Sequence, residues 1–254
     1  MSTRKNQLQA FEKLLNIMDE LREKCPWDRK QTMESLRTLS IEEIYELSDA
    51  IIEKDSDEIK KELGDVFLHL VFYSKIASEK NQFDITDVLN SICDKLIRRH
   101  PHIYSSAKAN TEEEVIKNWE QIKLKEGNSS VLSGVPSSLP AMVKAYRIQE
   151  KVKGVGFEFE NKEQVFDKIQ EEIEEFKNEE NPIDREMEFG DILFSLINYG
   201  RFLGINSEDA LERSNKKFIN RFKELELIVQ QNNQNINNLT ISELNTLWEK
   251  AKNK

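Results

Sequence analysis

Two groups of carboxylates in this chain have the types and spacing to hold a divalent cation. The first is Glu42, Glu43 and Glu46, followed by Glu62 and Asp65; the second is Glu171, Glu172 and Glu175, followed by Glu188 and Asp191. Each reads Glu-Glu-x-x-Glu, then Glu-x-x-Asp, and in each a glycine (Gly64, Gly190) precedes the aspartate and an apolar run follows it. Residues three apart on a helix share a face, with Cβ atoms about 5–6 Å apart. Glu43 and Glu46 therefore project together, and so do Glu62 and Asp65 on the next helix. A short turn between them makes the helices antiparallel neighbours, so the pairs face each other. Four converging carboxylates repel, and without a cation some take up protons. A hard divalent ion with oxygen ligands relieves this, which points to Mg²⁺, with Mn²⁺ as a substitute.

The competing readings are weaker. A charge run is commonly a solvated helix face. Here Asp65 and Asp191 sit in strongly apolar stretches, where a free carboxylate is costly to desolvate, and a mid-helix Gly64 or Gly190 suggests close approach of a neighbouring helix. A di-iron bundle requires Glu-x-x-His, and the residues three before His69, His100 and His102 are Val66, Ile97 and Arg99. No Asp-rich twelve-residue loop of the EF-hand kind occurs.

The elements that must position these acids are helices. Charged residues make up 33% of the 254, Gly and Pro are scarce, and no sustained strand alternation is present, so the fold class is all-α. Helical spacing predicts a first helix through Leu8 to Leu21 ending near Cys25–Asp28, a second opening at Ser40 with Glu43 as a capping box, and a third carrying Ile59 to Ser74. The breadth of apolar surface on the third suggests burial on more than one side. Further helices are expected at 84–99 and 112–126. In the second half they fall at 140–153, 162–178, 183–203, 207–231 and 240–252. The Gly-, Ser- and Pro-rich stretch from Gly127 reads as a linker. The expected organisation is two tandem helical-bundle domains, 1–126 and 140–254, joined by 127–139.

The halves also keep step outside the acids. Trp27-Asp28 precedes the first group as Phe157-Glu158 precedes the second, and each half has a basic helix after its acids and a Trp-Glu near its end (Trp119, Trp248). Lys217 and Arg221, one turn apart, form a basic edge suited to phosphate oxygens. Trp248 could stack on a nucleobase or simply pack in a core. Lys168 stands four residues before Glu172, where the first half has Leu39.

A net charge of −10 disfavours duplex nucleic acid as a partner. No stretch approaches a membrane span, and the charged N-terminus lacks a signal peptide's apolar core. Cys25 and Cys93 are too far apart in sequence to read as a metal motif. A cytoplasmic protein without membrane contact is the expectation.

Together the acids, Cys-Pro-Trp-Asp at 25–28, Arg-Arg-His-Pro-His at 98–102, the Asn215–Phe222 segment and the paired tryptophans resemble the MazG family of nucleoside triphosphate pyrophosphohydrolases, in its tandem-domain form, over nearly the whole chain. The resemblance implies the all-α NTP pyrophosphatase fold, assembly as a homodimer, and Mg²⁺-dependent cleavage of NTPs or dNTPs to nucleoside monophosphate and pyrophosphate. It implies metal ligands at Glu172, Glu175, Glu188 and Asp191, and at Glu43, Glu46, Glu62 and Asp65 in the first half. It places substrate contacts at Lys168, Glu171, Glu172, Glu188, Asp191, Lys217, Arg221 and Trp248, with Glu171 or Glu175 taking the proton of the attacking water beside Glu172. Phe72 stands where the second half has Asn198, and Cys93 where it has Asn215, which puts nucleotide binding by the first half in doubt. A specialised dUTP or dNTP hydrolase and a non-catalytic nucleotide-binding module are the alternatives.

Overall fold

The computed structural model describes residues 2–105 and 130–252, with isolated residues 111, 114, 115, 118, 119, 122 and 126 between them. All regular structure among the described residues is helical, as the composition requires. The chain divides into two compact units, Met1–Ala109 and Asn110–Lys254. The helix expected at 112–126 lies largely outside the described residues.

In unit 1, α1 (Arg4–Lys24) opens on Thr3, whose hydroxyl accepts from the Asn6 amide. A 3₁₀ turn at Asp28–Lys30 leads into α2 (Met33–Glu53). Its N-terminus is a capping box of Thr32 with Ser35, so the helix starts two turns before the expected Ser40. Ser40 lies inside the helix and donates to the Leu36 carbonyl. The sequence Thr-x-x-Ser offers the same reciprocal hydrogen bonds as Ser-x-x-Glu, and the earlier of the two wins because it adds helix. Lys54 in the left-handed region ends α2, and Asp55 caps α3 (Ser56–Glu79) through the amides of Asp57 and Glu58. This two-residue connection sets α2 and α3 side by side. α4 (Ile85–Arg99) and a single turn, α5 (Pro101–Tyr104), complete the unit. Its core is Met18, Leu36, Val71, Phe72 and Ile76. Only this face of α3 is covered: Leu63, Phe67 and Leu70 are about half exposed, contrary to the two-sided burial expected.

Unit 2 contains α6 (Ala141–Lys153), α7 (Lys162–Asn178), α8 (Pro182–Phe202), α9 (Ser207–Gln231) and α10 (Ile241–Lys252). Asparagines at 161, 181 and 206 cap α7, α8 and α9 with their side-chain oxygens. Thr240 and Glu243 form the expected capping box of α10. Three residues separate α7 from α8, again giving an adjacent pair. Leu225, Val229, Leu247 and Ala251 form a core between α9 and α10. The buried Lys151 donates to the carbonyls of Val131 and Ser133, fastening the segment ahead of α6.

Candidate metal centre and adjoining cavity

The two helix pairs bring the predicted acids together, but as triads. In unit 1, carboxylate oxygens of Glu43, Glu62 and Asp65 lie within 4.8 Å of one another; in unit 2, those of Glu172, Glu188 and Asp191 do the same. Glu46 and Glu175 stand outside the triads on exposed positions, yet close enough to act on them electrically. Burial and the charges of Asp65, Glu46, Glu62 and Glu42 push the Glu43 carboxyl above its ordinary pKa. Burial and the charges of Glu175, Asp191, Glu172 and Glu179 do the same to Glu188.

The desolvated residues are not the ones expected. Asp65 is half-buried and Asp191 exposed, whereas Glu62 and Glu172 are only 3% and 6% exposed. An apolar run follows each aspartate in sequence, but the aspartates themselves keep contact with solvent. Neither glycine serves a close approach: an added Cβ at Gly64 or Gly190 would meet no atom within 4 Å.

Each buried glutamate has a lysine partner. Lys168 Nζ is 2.8 Å from both Glu171 and Glu172. Lys61 Nζ is 2.7 Å from Glu62 and 3.3 Å from Glu58, a pairing the sequence reading missed although the two residues are adjacent. Hydrogen bonds to these acids raise both ammonium pKa values above the usual lysine range, Glu62 contributing most for Lys61 and Glu171 for Lys168. His69, also missed, contacts unit 1's triad: its Nε2 is 4.0 Å from Glu43, and its Nδ1 is 3.0 Å from Ser40 Oγ, which also meets Tyr73 Oη at 2.7 Å. Burial lowers the His69 pKa, with Asp65 opposing.

Glu62 Oε2 is buried with no hydrogen-bond partner. A buried acceptor left unsatisfied costs about 1–3 kcal/mol. A cation placed among three carboxylates and no nitrogen or sulfur donor would satisfy it, and such an all-oxygen set fits Mg²⁺ or Mn²⁺.

The other predicted contacts are less closely gathered. Lys217 is exposed and Arg221 half-buried on α9, and among the described residues neither forms an ion pair. Trp248 packs on Phe218, ring centroids 5.0 Å apart, against the α9–α10 core, which is the packing role left open for it.

Unit 2 also has a cavity of about 410 Å³ between α6, the 156–159 loop and α8; none of the triad acids lines it, and its lining begins at Phe194, three residues beyond Asp191. Phe157, Phe159 and Phe194 give it aromatic walls, and Gln149, Asn198 and Arg201 give it polar groups. Arg201, buried, is paired with Glu158, lies 3.6 Å from Glu150, and donates to Asn198 Oδ1. Arg201 follows Asp191 at ten residues, nearly three turns along α8, and is buried where Asp191 is exposed, so no interval from the acids pointed to it.

An all-α chain with a carboxylate triad across each of two helix pairs belongs to the class of duplicated, acid-centred helical proteins. Comparison with known proteins places it within that class. The family model described as the MazG nucleotide pyrophosphohydrolase domain matches residues 31–104, in unit 1. The nucleoside triphosphate pyrophosphohydrolase/pyrophosphatase MazG of Thermotoga maritima is 44% identical over 247 residues, covering 95% of both chains. The nucleoside triphosphate pyrophosphohydrolase of Escherichia coli K12 is 37% identical over 257 residues, covering 96% of this chain and 98% of that one. A crystal structure of a MazG-related protein from Thermotoga maritima, 26% identical, aligns with 44% of this chain and 98% of its own at a TM-score of 0.41. The chain belongs to the MazG nucleoside triphosphate pyrophosphohydrolase family.

Proposed function

We propose that the protein hydrolyses nucleoside triphosphates, of ribose or deoxyribose type, to the monophosphate and pyrophosphate as part of nucleotide-pool housekeeping. The observation that carries this reading is the Glu172–Glu188–Asp191 triad with Lys168 at its edge. Glu172, Glu188 and Asp191 would hold Mg²⁺, with Glu175 close by. The bound ion would supply Lewis acidity toward phosphate oxygens and a water of lowered pKa. The Glu175 carboxylate accepts the proton of the attacking water: it borders Glu188 outside the triad, whereas Glu171 is already engaged by Lys168. Attack at the α-phosphorus breaks its bond to the bridging oxygen and releases pyrophosphate. Lys168, Lys217 and Arg221 offset the charge on the phosphates.

The exposed apolar rows Leu63, Phe67, Leu70 on α3 and Val88, Leu89, Ile92 on α4 support a homodimer, since such faces rarely remain open in a soluble protein. Cys25 and Cys93 as free thiols support a cytoplasmic setting. Among the described residues no helix is long and apolar enough to cross a membrane.

The test is release of nucleoside monophosphate and pyrophosphate from an NTP and dNTP panel with Mg²⁺. Glu188→Ala with Asp191→Ala is expected to abolish it, and Glu62→Ala to cost little. Unchanged turnover in the double variant would remove unit 2 as the catalyst; a panel in which dUTP alone is cleaved would replace the broad substrate range with the narrow one.

A further inference from the structure

We propose that His69 is a nitrogen ligand for the divalent ion of unit 1, joining Glu43, Glu62 and Asp65, and that this centre therefore selects a transition ion such as Mn²⁺ or Zn²⁺ over Mg²⁺, while the oxygen-only triad of unit 2 lacks that preference. The inference rests on the cation reading of the triads, and it adds that the two centres differ in the ion they select.

Spacing brings His69 to the acids. Glu62, Asp65 and His69 stand at intervals of three and four on α3, so they share one face of the helix. His69 is 8% exposed, and its Nε2 is 4.0 Å from Glu43 Oε1. The imidazole approaches from Glu43's side rather than from within the 4.8 Å that joins the three oxygens.

The other ring nitrogen decides what Nε2 can offer. Ser40 Oγ meets three atoms: the Leu36 carbonyl at 2.9 Å, Tyr73 Oη at 2.7 Å and His69 Nδ1 at 3.0 Å. A carbonyl only accepts, so the single hydroxyl proton goes to Leu36. Tyr73 and His69 must then both donate to Ser40, which places a ring proton on Nδ1. Nε2 is the free position: among the described residues it has no hydrogen-bond partner, and the gap to Glu43 is too long for one. Within the same triad Glu62 Oε2 is buried and also lacks a partner. A metal ion suits this gap, since metal–nitrogen and metal–oxygen bonds of about 2.0–2.2 Å each add up to it. A second ring N–H tied to a fixed neighbour is the support that orients a ligating imidazole.

Unit 2 has no such support. In the register of the repeat Ser195 stands for His69 and Ile169 for Ser40, both buried, while Tyr199 stands for Tyr73. Unit 1 alone therefore places a hydroxyl and an imidazole between its core and its acids. Carboxylates and water suit Mg²⁺ and Mn²⁺, whereas an added imidazole raises affinity for transition ions and does little for Mg²⁺.

The experiment uses the full chain freed of divalent ions, with unit 2's centre removed by Glu188→Ala and Asp191→Ala. Bound Mn²⁺ is read by pulsed electron paramagnetic resonance, and the affinities for Mn²⁺, Zn²⁺ and Mg²⁺ by calorimetry. Expected is Mn²⁺ whose echo carries nitrogen hyperfine modulation. His69→Gln should erase that modulation and weaken Mn²⁺ and Zn²⁺ at least tenfold, with Mg²⁺ changed less than threefold. Ser40→Ala, which keeps the imidazole and removes the oxygen that orients it, should weaken Mn²⁺ at least threefold. In the complementary chain, with Glu62→Ala and Asp65→Ala and unit 2 intact, bound Mn²⁺ should show no nitrogen modulation. Mn²⁺ held by unit 1 without nitrogen modulation, nitrogen modulation from unit 2, or a His69→Gln chain that loses Mg²⁺ as strongly as Mn²⁺ overturns the proposal. Failure of both centres to take up any divalent ion overturns the cation reading itself, and the proposal with it.

Discussion

Replacing Lys168 by Met isolates the part of unit 2 that opposes carboxylate repulsion. Lys168 Nζ is 2.8 Å from Glu172, which is nearly buried and lies within 4.8 Å of Glu188 and Asp191. At that distance an ion pair is worth about 6 kcal/mol at an effective dielectric constant of about 20. The Lys168 side chain is 34% exposed, so solvent screening and the entropy of holding it reduce the net loss to about 1–3 kcal/mol. Methionine keeps the aliphatic contact of the lysine stem, which confines the change to charge. Denaturant unfolding without divalent ions should show this loss. With saturating Mg²⁺ or Mn²⁺ the gap between variant and parent should shrink to less than half, because a cation among the three acids takes over the neutralising role. The metal-induced rise in stability should therefore be larger in Lys168→Met than in the parent, although turnover falls. A gap of the same size with and without divalent ion would show that Glu172 is not a cation ligand, and the assignment of the site would fail with it.

Three other outcomes follow from the same geometry. The raised pKa values of Glu43 and Glu188 mean that their ionised forms oppose folding: their stabilising contribution is present in acid and is lost as pH rises through those raised values. A cation competes with the same protons, so the melting increment from Mn²⁺ should be larger near pH 7 than near pH 5, and an increment that falls with pH would contradict the clusters' role. Gly64→Ala and Gly190→Ala should each stabilise the chain by about 0.5–1 kcal/mol, since helical glycine costs that much and nothing crowds either position; destabilisation by denaturant unfolding would mean that another chain packs there in solution. Lys151→Met should cost about 1–3 kcal/mol and speed proteolytic cleavage within 130–139, because the ammonium binds the Val131 and Ser133 carbonyls; an unchanged cleavage rate would show the segment is held otherwise.

The helices and the pairing of acids were readable because both depend on local spacing. Three- and four-residue intervals fix a helix face, and a two- or three-residue connection leaves two helices little choice but to lie together. The five described helices of unit 2 all fall within a residue of their expected bounds, and α7 and α9 coincide with theirs. What was misread depends on packing at a distance. The buried carboxylates are Glu62 and Glu172, flanked in sequence by Lys61, Leu63, Glu171 and Ile173, with nothing local to distinguish them from their exposed neighbours. The aspartates looked buried because apolar residues follow them, but those residues serve other faces of the helix. Ser40 looked like a cap because its side chain can bond locally; it instead joins His69 and Tyr73, residues 29 and 33 positions away. The cavity at Asn198 and Arg201 required three separate segments, α6, the loop after it and α8, and no single window contains it.

The two units hold the same triad with the buried member exchanged, and the lysines explain how that is possible. In unit 1 the buried acid is Glu62 on the second helix of the pair; its counterpart in unit 2 is the half-buried Glu188. In unit 2 the buried acid is Glu172 on the first helix, whose counterpart is the half-buried Glu43. A carboxylate removed from water needs a compensating charge or hydrogen bonds. The lysine moves with the burial, Lys61 beside Glu62 and Lys168 one turn before Glu172, while the first half has Leu39 where the second has Lys168. Which helix buries its glutamate is therefore a matter of core packing and lysine placement, and it can change without separating the three oxygens. The triads do not preserve the environment of any single residue; they preserve the meeting of oxygens from two adjacent helices. That is the property a divalent ion requires and the one a solvated helix face has no reason to keep.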